Sequence, residues 1–212
     1  VELDSWRLVI SLPHADLPVQ LKLAGDSSEA WLVNGAERVI IGQVRREGDA
    51  LRLYFPAFNN TFDLRLDGDT LAGTLTLVKL GYEQVMPVSA KRGVNYRYSE
   101  SPVSEVNVTG RWETVFTDEE GKKLQAVGVL DQQGSKVTGT FLTPKGDYRY
   151  LEGEVSGRKL LLSTFDGAHA FTFSADIDAE GRMTGDFLSG TKSHETWQAF
   201  RNFDASLEDP YQ

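Results

Sequence analysis

The sequence predicts an all-β fold, and two local observations and one internal repeat support that prediction. Short segments alternate between apolar and polar residues, or run apolar, over the length of one strand, as in residues 6–10 and 171–175. Glycine stands beside Asp or Glu between such segments, as in residues 66–69 and 179–181, where tight hairpins need a residue that tolerates positive φ. No segment keeps a helical period, and strands at intervals of roughly 8–12 residues are typical of a sandwich or a barrel.

The repeat divides the chain into two similar halves. Five segments match in the same order, with an offset that drifts only between 106 and 112 residues. The matched segments are residues 6–11 with 112–117, 42–53 with 153–162, 58–62 with 165–171, 71–75 with 183–187, and 90–92 with 199–201. The sequence therefore predicts two tandem, homologous antiparallel β units.

The predicted boundaries follow from that alignment. Residues 1–97 form the first β repeat and residues 106–203 form the second. Residues 98–105 contain Ser, Glu and Pro, a composition that suits a linker. Residues 204–212 remain as a tail.

Each unit has about eight candidate strands, which are enough to close a small up-and-down barrel. The first and last strands of a closed barrel are neighbours, so an Arg on the last strand can stack on a Trp of the first strand. We therefore predict two structural closure pairs, Trp6 with Arg92 and Trp112 with Arg201.

The closure pairs resemble a feature of calycin barrels, the lipocalins and avidins, in which a Gly-x-Trp motif opens the first strand. Residues 110–112, Gly-Arg-Trp, fit that motif, whereas residues 4–6, Asp-Ser-Trp, depart from it at the glycine position. The resemblance implies calycin-like barrels with an interior that can bind a small molecule.

Three segments of the second half resemble a more specific family. They are residues 137–153 (VTGTFLTPKGDYRYLEG), 162–171 (LSTFDGAHAF) and 184–190 (TGDFLSG). Together they look like the all-β region N-terminal to the thioredoxin-like domain of TlpA/ResA-type bacterial envelope proteins, and residues 204–211 resemble the linker that leads into that domain. The resemblance implies a parent protein in the bacterial periplasm, or a membrane-anchored lipoprotein facing it, that performs thiol–disulfide chemistry in another part of its chain.

Composition excludes several classes of function. The chain has 212 residues and no cysteine, which excludes thiol nucleophiles, dithiol redox chemistry and thiolate metal sites within it. Its net charge is −9, with −1 up to Arg97 and −8 beyond, so we expect no nucleic-acid partner. No apolar run approaches the roughly 20 residues of a transmembrane helix. We expect no cofactor and no metal.

Candidate ligand-binding residues lie in the second half. Asp166 and His169 carry groups that bind metals or transfer protons, as do His194 and Glu195. The alternative interpretation is that Asp166 opens a hairpin turn, that His169 is a strand residue and that His194 lies in a loop.

Two tyrosines are the other candidates. Tyr148 and Tyr150 share one face at strand spacing, so they can line a ligand cavity or simply fill a strand position. No Gly-x-Ser-x-Gly elbow or phosphate-binding Gly-rich loop is present, and we predict no catalytic residue.

Two hypotheses for function remain. The first is a non-catalytic accessory domain of an envelope thiol–disulfide oxidoreductase, whose partner is a C-terminal thioredoxin-like domain of the same parent chain. The second is a stand-alone calycin-like protein that binds a small molecule in a barrel. A binding cavity with a few convergent polar groups favours the second, and barrels filled by side chains count against it.

Overall fold

The computed structural model describes residues 2–207, and within that range every regular element is a β-strand. The prediction of an all-β fold is confirmed. Strands of the first half are β1 (Leu3–Ser11), β2 (Asp16–Ala24), β3 (Ala30–Asn34), β4 (Glu37–Ile40), β5 (Gln43–Glu47), β6 (Ala50–Phe55), β7 (Asn60–Asp67), β8 (Thr70–Lys79) and β9 (Tyr82–Arg92). Strands of the second half are β10 (Gly110–Thr117), β11 (Lys123–Gln133), β12 (Lys136–Thr143), β13 (Gly146–Asp147), β14 (Leu151–Ser156), β15 (Lys159–Phe165), β16 (Ala170–Ile177), β17 (Met183–Ser189) and β18 (Ser193–Arg201). In residues 2–207 no helix is long and apolar enough to cross a membrane.

The two halves form two barrel-like sheets, of which the second is closed and the first is open. The second sheet closes on itself, because β11 pairs with both β10 and β12, and β18 pairs with β10. The short strand β13 adds to β12 outside that ring of eight strands. The predicted closed barrel is therefore present in the second half of the described chain.

The first sheet is curled but open, so the two predicted barrel-like units differ in closure. Its order is β4-β3-β2-β1-β9-β8-β7-β6-β5, so β4 and β5 lie at opposite edges. Just after β4, buried Ile41 donates its backbone N–H to Ala30 O (3.1 Å), which continues the pairing of this edge with β3. β4 pairs with β3, β5 pairs with β6, and no pairing joins β4 to β5.

The compact units of the structure do not follow the sequence halves throughout. The first unit contains the described residues up to Arg97 together with Ser163–Phe171 and Leu188–Lys192. The second contains Tyr98–Leu162, Thr172–Phe187 and the described residues from Ser193 onward. The predicted linker, residues 98–105, thus belongs to the second unit, where Glu105 N donates to Gly157 O (2.9 Å). The tail prediction, residues 204–212, lies partly outside the described residues.

A repeated glycine explains one of the sequence matches between the halves. Gly73 on β8 and Gly185 on β17 occupy matching positions, and a Cβ on either would lie within 2 Å of a backbone oxygen of the neighbouring strand. Such a Cβ would meet Asp63 O at 1.9 Å and Ser174 O at 1.7 Å. No larger residue fits where two backbones approach so closely, so both copies keep glycine there.

The core of the first unit includes residues from the second half of the sequence. Inward-facing Leu8 and Ile10 of β1 are fully buried, as the alternation of strand residues predicts. Phe165 is also fully buried in this core, with its ring centroid 5.8 Å from that of Phe55 and 5.5 Å from that of Phe62. Residues separated by about one hundred positions therefore fill one hydrophobic core.

Buried amide side chains hold the backbone near Phe165. Asn34 Nδ2 donates to Phe165 O (2.8 Å), and Asn34 Oδ1 accepts from Phe165 N (3.2 Å). Asn60 Nδ2 donates to Gly167 O (2.8 Å) and its Oδ1 accepts from Val78 N (2.7 Å). Both side chains are fully buried, so these bonds satisfy groups that would otherwise be costly to remove from water.

Aromatic side chains fill the interior of the second unit. Phe116 lies at the centre of this cluster, with ring centroids of five other aromatic residues within 6.2 Å of its own. Those residues are Phe141, Tyr148, Phe173, Phe187 and Trp197. The closed barrel is therefore packed with side chains, which counts against a large ligand cavity inside it.

Candidate ligand cavity beside Trp6

The strand order of the first unit brings its Trp and Arg together. β1 pairs with β9, and Trp6 lies directly opposite Arg92 in that register. The guanidinium carbon of Arg92 is 4.7 Å from the centroid of the Trp6 ring, which is within cation–π distance. Arg92 also forms ion pairs with Asp4 (Nη1–Oδ2, 3.1 Å) and Asp69 (Nε–Oδ1, 3.4 Å).

The second unit repeats this arrangement. Trp112 lies opposite Arg201 in the register of β10 with β18, and the Arg201 guanidinium carbon is 4.8 Å from the Trp112 ring centroid. The indole Nε1 of Trp112 donates a hydrogen bond to Val108 O (2.9 Å). Both indoles are almost completely buried.

The two tryptophans differ in what their indole N–H groups bind. Trp6 Nε1 is buried and has no hydrogen-bond acceptor among the described residues. The carbonyl four residues before it, Glu2 O, accepts instead from Gly25 N (3.0 Å). A buried donor without an acceptor costs about 1–3 kcal/mol, so the Trp6 indole is less favourably placed than the Trp112 indole.

A cavity of about 150 Å³ lies beside Trp6, and we call it the Trp6 cavity. Its lining combines apolar residues with three charged residues, Ser27 and the indole, and the surface open to the cavity is more polar than apolar. The lining residues are Asp4, Trp6, Leu23, Ala24, Gly25, Ser27, Arg46, Leu51, Leu66, Leu71 and Arg92. The Trp6 cavity is therefore a small space of mixed polarity.

The backbone of Ser27 adds a second unusual feature to the Trp6 cavity. Ser27 is 8% exposed and adopts a φ of 57°, a conformation that residues with a Cβ seldom take. Its N–H donates to Ala24 O (2.8 Å), which holds the turn after β2 against the cavity. Residues kept in such conformations are common at binding sites.

Among the ligand residues predicted from sequence, Asp166 and His169 lie together in the first unit. His169 Nδ1 is 3.0 Å from Asp166 Oδ2, and Asp166 Oδ1 accepts from the backbone N–H groups of Ala168 (2.9 Å) and His169 (2.7 Å). The carboxylate thus caps the turn between β15 and β16. Burial raises the pKa of Asp166, but the hydrogen bonds from His169 and Ala168 outweigh it and leave that pKa below its ordinary value.

The low pKa of Asp166 makes stability depend on pH. Because the folded carboxyl has the lower pKa, its stabilising effect is complete above the ordinary value of about 4 and is lost as pH falls through the folded value. We expect Asp166→Asn to lower the free energy of unfolding by about 1 kcal/mol at neutral pH, since neutral hydrogen bonds replace charge-assisted ones. Denaturant unfolding of the two proteins at a series of pH values checks this, and the two curves should converge in acid. A difference that persists unchanged at the lowest pH would contradict the assignment.

Tyr148 and Glu195 come together in the second unit. Burial raises the pKa of Tyr148 to about 12, and the charge of Glu195 contributes to that shift. Burial also raises the pKa of Glu195, with a smaller contribution from Asp118. The Tyr148 ring packs on Phe187 (5.2 Å between centroids), so Tyr148 is part of the aromatic cluster that fills this unit.

Removing the charge of Glu195 should lower the pKa of Tyr148. We expect the Tyr148 pKa of Glu195→Gln to lie below about 12 but above the ordinary value of about 10, because burial, the larger cause, remains. Carbon NMR of the Tyr148 ring during a pH titration measures the shift, with exposed Glu119→Gln as the control. An unchanged Tyr148 pKa in Glu195→Gln would contradict the assigned interaction.

The other predicted ligand residues are placed apart from these pairs. Tyr150 is 58% exposed, so it does not share the environment of Tyr148. The positive φ of Arg149 (66°) between them breaks the strand alternation on which the shared face depended.

The interpretation of His194 as a loop residue and of His169 as a strand residue is wrong, because His194 belongs to β18 and His169 lies in the turn between β15 and β16. His194 Nε2 lies 2.9 Å from Asp186 Oδ1 in the second unit. No group of three or more His, Asp or Glu residues that could hold a metal occurs in residues 2–207.

The sequence predicts that Trp6 and Arg92 form a structural closure pair, and it does not show that they line a cavity. No sequence pattern marks Ser27 or Arg46 as lining residues of this cavity. One signal was present: residues 4–6 depart from the Gly-x-Trp motif that residues 110–112 fit. The structure shows a matching difference, since the hydrogen bond of the Trp112 indole to Val108 has no counterpart at Trp6.

Comparisons with known proteins do not identify a family for this chain. No family model matches it, and no curated protein matches it. A solved structure of a DUF3598-family protein of unknown function from Nostoc punctiforme aligns over 94% of this chain and 94% of its own, at 9% identity and a TM-score of 0.27. These values are too low to support an argument about this chain.

Proposed function

We propose that this chain is a non-catalytic module that binds a small molecule in the Trp6 cavity. The observation that carries the proposal is the small cavity lined by Trp6, next to a buried indole N–H that has no acceptor among the described residues. A cavity of about 150 Å³ is large enough for a molecule of the size of benzene. The site is thus suited to a ligand much smaller than those held in the wide interiors of large barrels.

The expected affinity is modest because the ligand has few atoms. A molecule of this size that fills the cavity should bind with a dissociation constant of about 1 mM. Weak binding at a defined place is best measured by a signal that comes from the site itself. The indole N–H groups of the four tryptophans provide such signals.

Nitrogen–proton NMR of the full chain tests the proposal. Butyrate, butyramide and butanol are titrated separately while the four indole signals are followed. We expect at least one of them to shift the Trp6 signal in a saturable way and to leave the Trp112 signal, whose N–H is already bonded, unchanged. If none of the three shifts the Trp6 signal, the proposal is wrong.

A cavity-filling variant shows whether the response comes from the Trp6 cavity. Ala24→Met puts a flexible side chain into the space that Ala24 lines, and it should abolish the Trp6 shift. Ala72→Met makes the same substitution at an exposed position of β8 and should leave the shift unaltered. Equal responses in the two variants would place the ligand elsewhere.

A second candidate function rests on sequence resemblance. Residues 137–153, 162–171 and 184–190 resemble the all-β region of TlpA/ResA-type envelope proteins. We propose on that ground that the module can serve as an accessory domain of a periplasmic or lipoprotein thiol–disulfide oxidoreductase, with a thioredoxin-like domain as its partner in the same parent chain. The reading frame tests this: a Cys-x-x-Cys domain encoded after Gln212 supports it, and a stop codon there contradicts it.

A further inference from the structure

We infer that one end of the first unit binds the surface of a lipid bilayer that carries anionic headgroups. The residues involved do not line the Trp6 cavity, so the inference does not depend on the proposed function. Two observations on neighbouring turns lead to it: large apolar side chains are exposed there, and lysine side chains without a carboxylate partner lie beside them.

Hydrogen bonds hold three turns together at this end of the first unit. Asn60 Oδ1, at the start of β7, accepts from Val78 N (2.7 Å) near the end of β8, so the turn before β7 lies next to the turn between β8 and β9. Thr191 N, in the turn between β17 and β18, donates to Gln84 Oε1 (2.7 Å) near the start of β9. The side chains of these three turns therefore share one surface of the unit.

Large apolar side chains protrude from that surface. Leu80, in the turn between β8 and β9, is fully exposed, so no neighbouring group covers it. Phe58 in the turn before β7 and Tyr82 at the start of β9 are each 46% exposed. We call Phe58, Leu80 and Tyr82 the apolar tips. Exposed apolar side chains that lie together are typical of surfaces that bind proteins or membranes.

Two lysines lie beside the apolar tips. Lys192 Nζ is 5.4 Å from the centroid of the Tyr82 ring. Lys79 is the last residue of β8, and its Nζ donates to Ala168 O (3.1 Å). No carboxylate in the described part of the chain pairs with either lysine. The exposed acidic residue at the start of β9, Glu83, offsets the charge of one lysine, so the other gives the apolar tips a positive surrounding.

The combination of apolar tips and lysines favours a lipid surface over a protein partner. Lysine is depleted in protein–protein interfaces. Lysines beside exposed apolar side chains instead strengthen binding to membranes, because anionic headgroups attract the charge while the apolar groups leave water. Tyrosine is enriched at the membrane–water interface, which is the position that Tyr82 would take. Turns stand at strand ends, so Leu80 can enter the headgroup region without any movement of the sheet.

Sedimentation of the full chain with lipid vesicles tests the inference. We expect the chain to sediment with mixed vesicles of equal parts phosphatidylglycerol and phosphatidylcholine. Vesicles of phosphatidylcholine alone should bind it about tenfold more weakly, because their headgroups carry no net charge to attract the lysines. Absence of binding to the mixed vesicles would overturn the inference, and so would equal binding to both kinds.

Leu80→Ser and Val103→Ser are matched variants. Val103 is 75% exposed and belongs to the second unit, away from the apolar tips. We expect Leu80→Ser to weaken binding to the mixed vesicles about tenfold, because one apolar side chain no longer leaves water, and Val103→Ser to leave it unchanged. Thermal unfolding verifies that both variants are folded. A loss for Leu80→Ser no larger than that for Val103→Ser would overturn the inference.

Self-association is the alternative that Leu80→Ser also detects. Without lipid, we expect the full chain and Leu80→Ser to have the same sedimentation coefficient at every protein concentration. A dimer of the full chain that Leu80→Ser dissociates would show that a second copy covers the apolar tips, and would overturn the inference.

Discussion

Replacing Phe165 with alanine should lower the free energy of unfolding by about 3–5 kcal/mol, the range for a buried Phe replaced by Ala. The ring is fully buried in the core of the first unit, between Phe55 and Phe62. Its removal leaves a void that the surrounding strands can fill only in part. Urea denaturation followed by circular dichroism measures the loss.

The control for Phe165→Ala is Phe58→Ala. Phe58 is 46% exposed and lies in the turn before β7, so its truncation should cost much less. A loss for Phe165→Ala no larger than that for Phe58→Ala would contradict the assignment of Phe165 to this core.

Replacing Trp112 with alanine should also cost about 3–5 kcal/mol. The indole is buried under Arg201 and donates to Val108 O, so the variant loses packing and a buried hydrogen bond together. Loss of the cation–π contact adds to the effect. Denaturant unfolding provides the measurement, and a loss below about 1 kcal/mol, the usual effect of a surface change, would contradict the structural role of Trp112.

Replacing each buried Trp with Phe separates the contribution of ring packing to stability from that of the indole hydrogen bond. Trp112→Phe leaves Val108 O without its donor, whereas Trp6→Phe removes an N–H that has no acceptor among the described residues. We expect Trp112→Phe to be more destabilising than Trp6→Phe by about 1 kcal/mol. Equal losses would show that the two indoles do not differ in this way.

The strand pattern and the repeat were sufficient to predict the fold class. Alternation along β1 predicts that Trp6, Leu8 and Ile10 face one side, and all three are buried. The repeat succeeds because both copies need the same special residues, such as Gly73 and Gly185 at close backbone approaches. The pattern of residues along a strand does not determine whether a sheet closes into a barrel. The first sheet stays open because its edge strands β4 and β5 pair with β3 and β6 and not with each other.

The site was harder to predict because it depends on contacts between distant residues. The lining of the Trp6 cavity brings Leu23 of β2 together with Leu51 of β6 and Leu71 of β8, a combination that no local pattern reveals. In the same way, nothing near Trp6 in the sequence shows that its N–H has no acceptor. The turn interpretation of Asp166 needed only neighbouring residues, and the Asp166 carboxylate does accept from the N–H groups of Ala168 and His169.

In the proposed complex, the Trp6 cavity holds the apolar part of a small ligand. Intermolecular nuclear Overhauser effects between butyrate and the methyl groups of the full chain show where that part lies. We expect contacts from the butyrate methyl protons to Leu51 and Leu71, which line the cavity. Contacts only to methyl groups outside the cavity lining, such as those of Leu130 in the second unit, would contradict it.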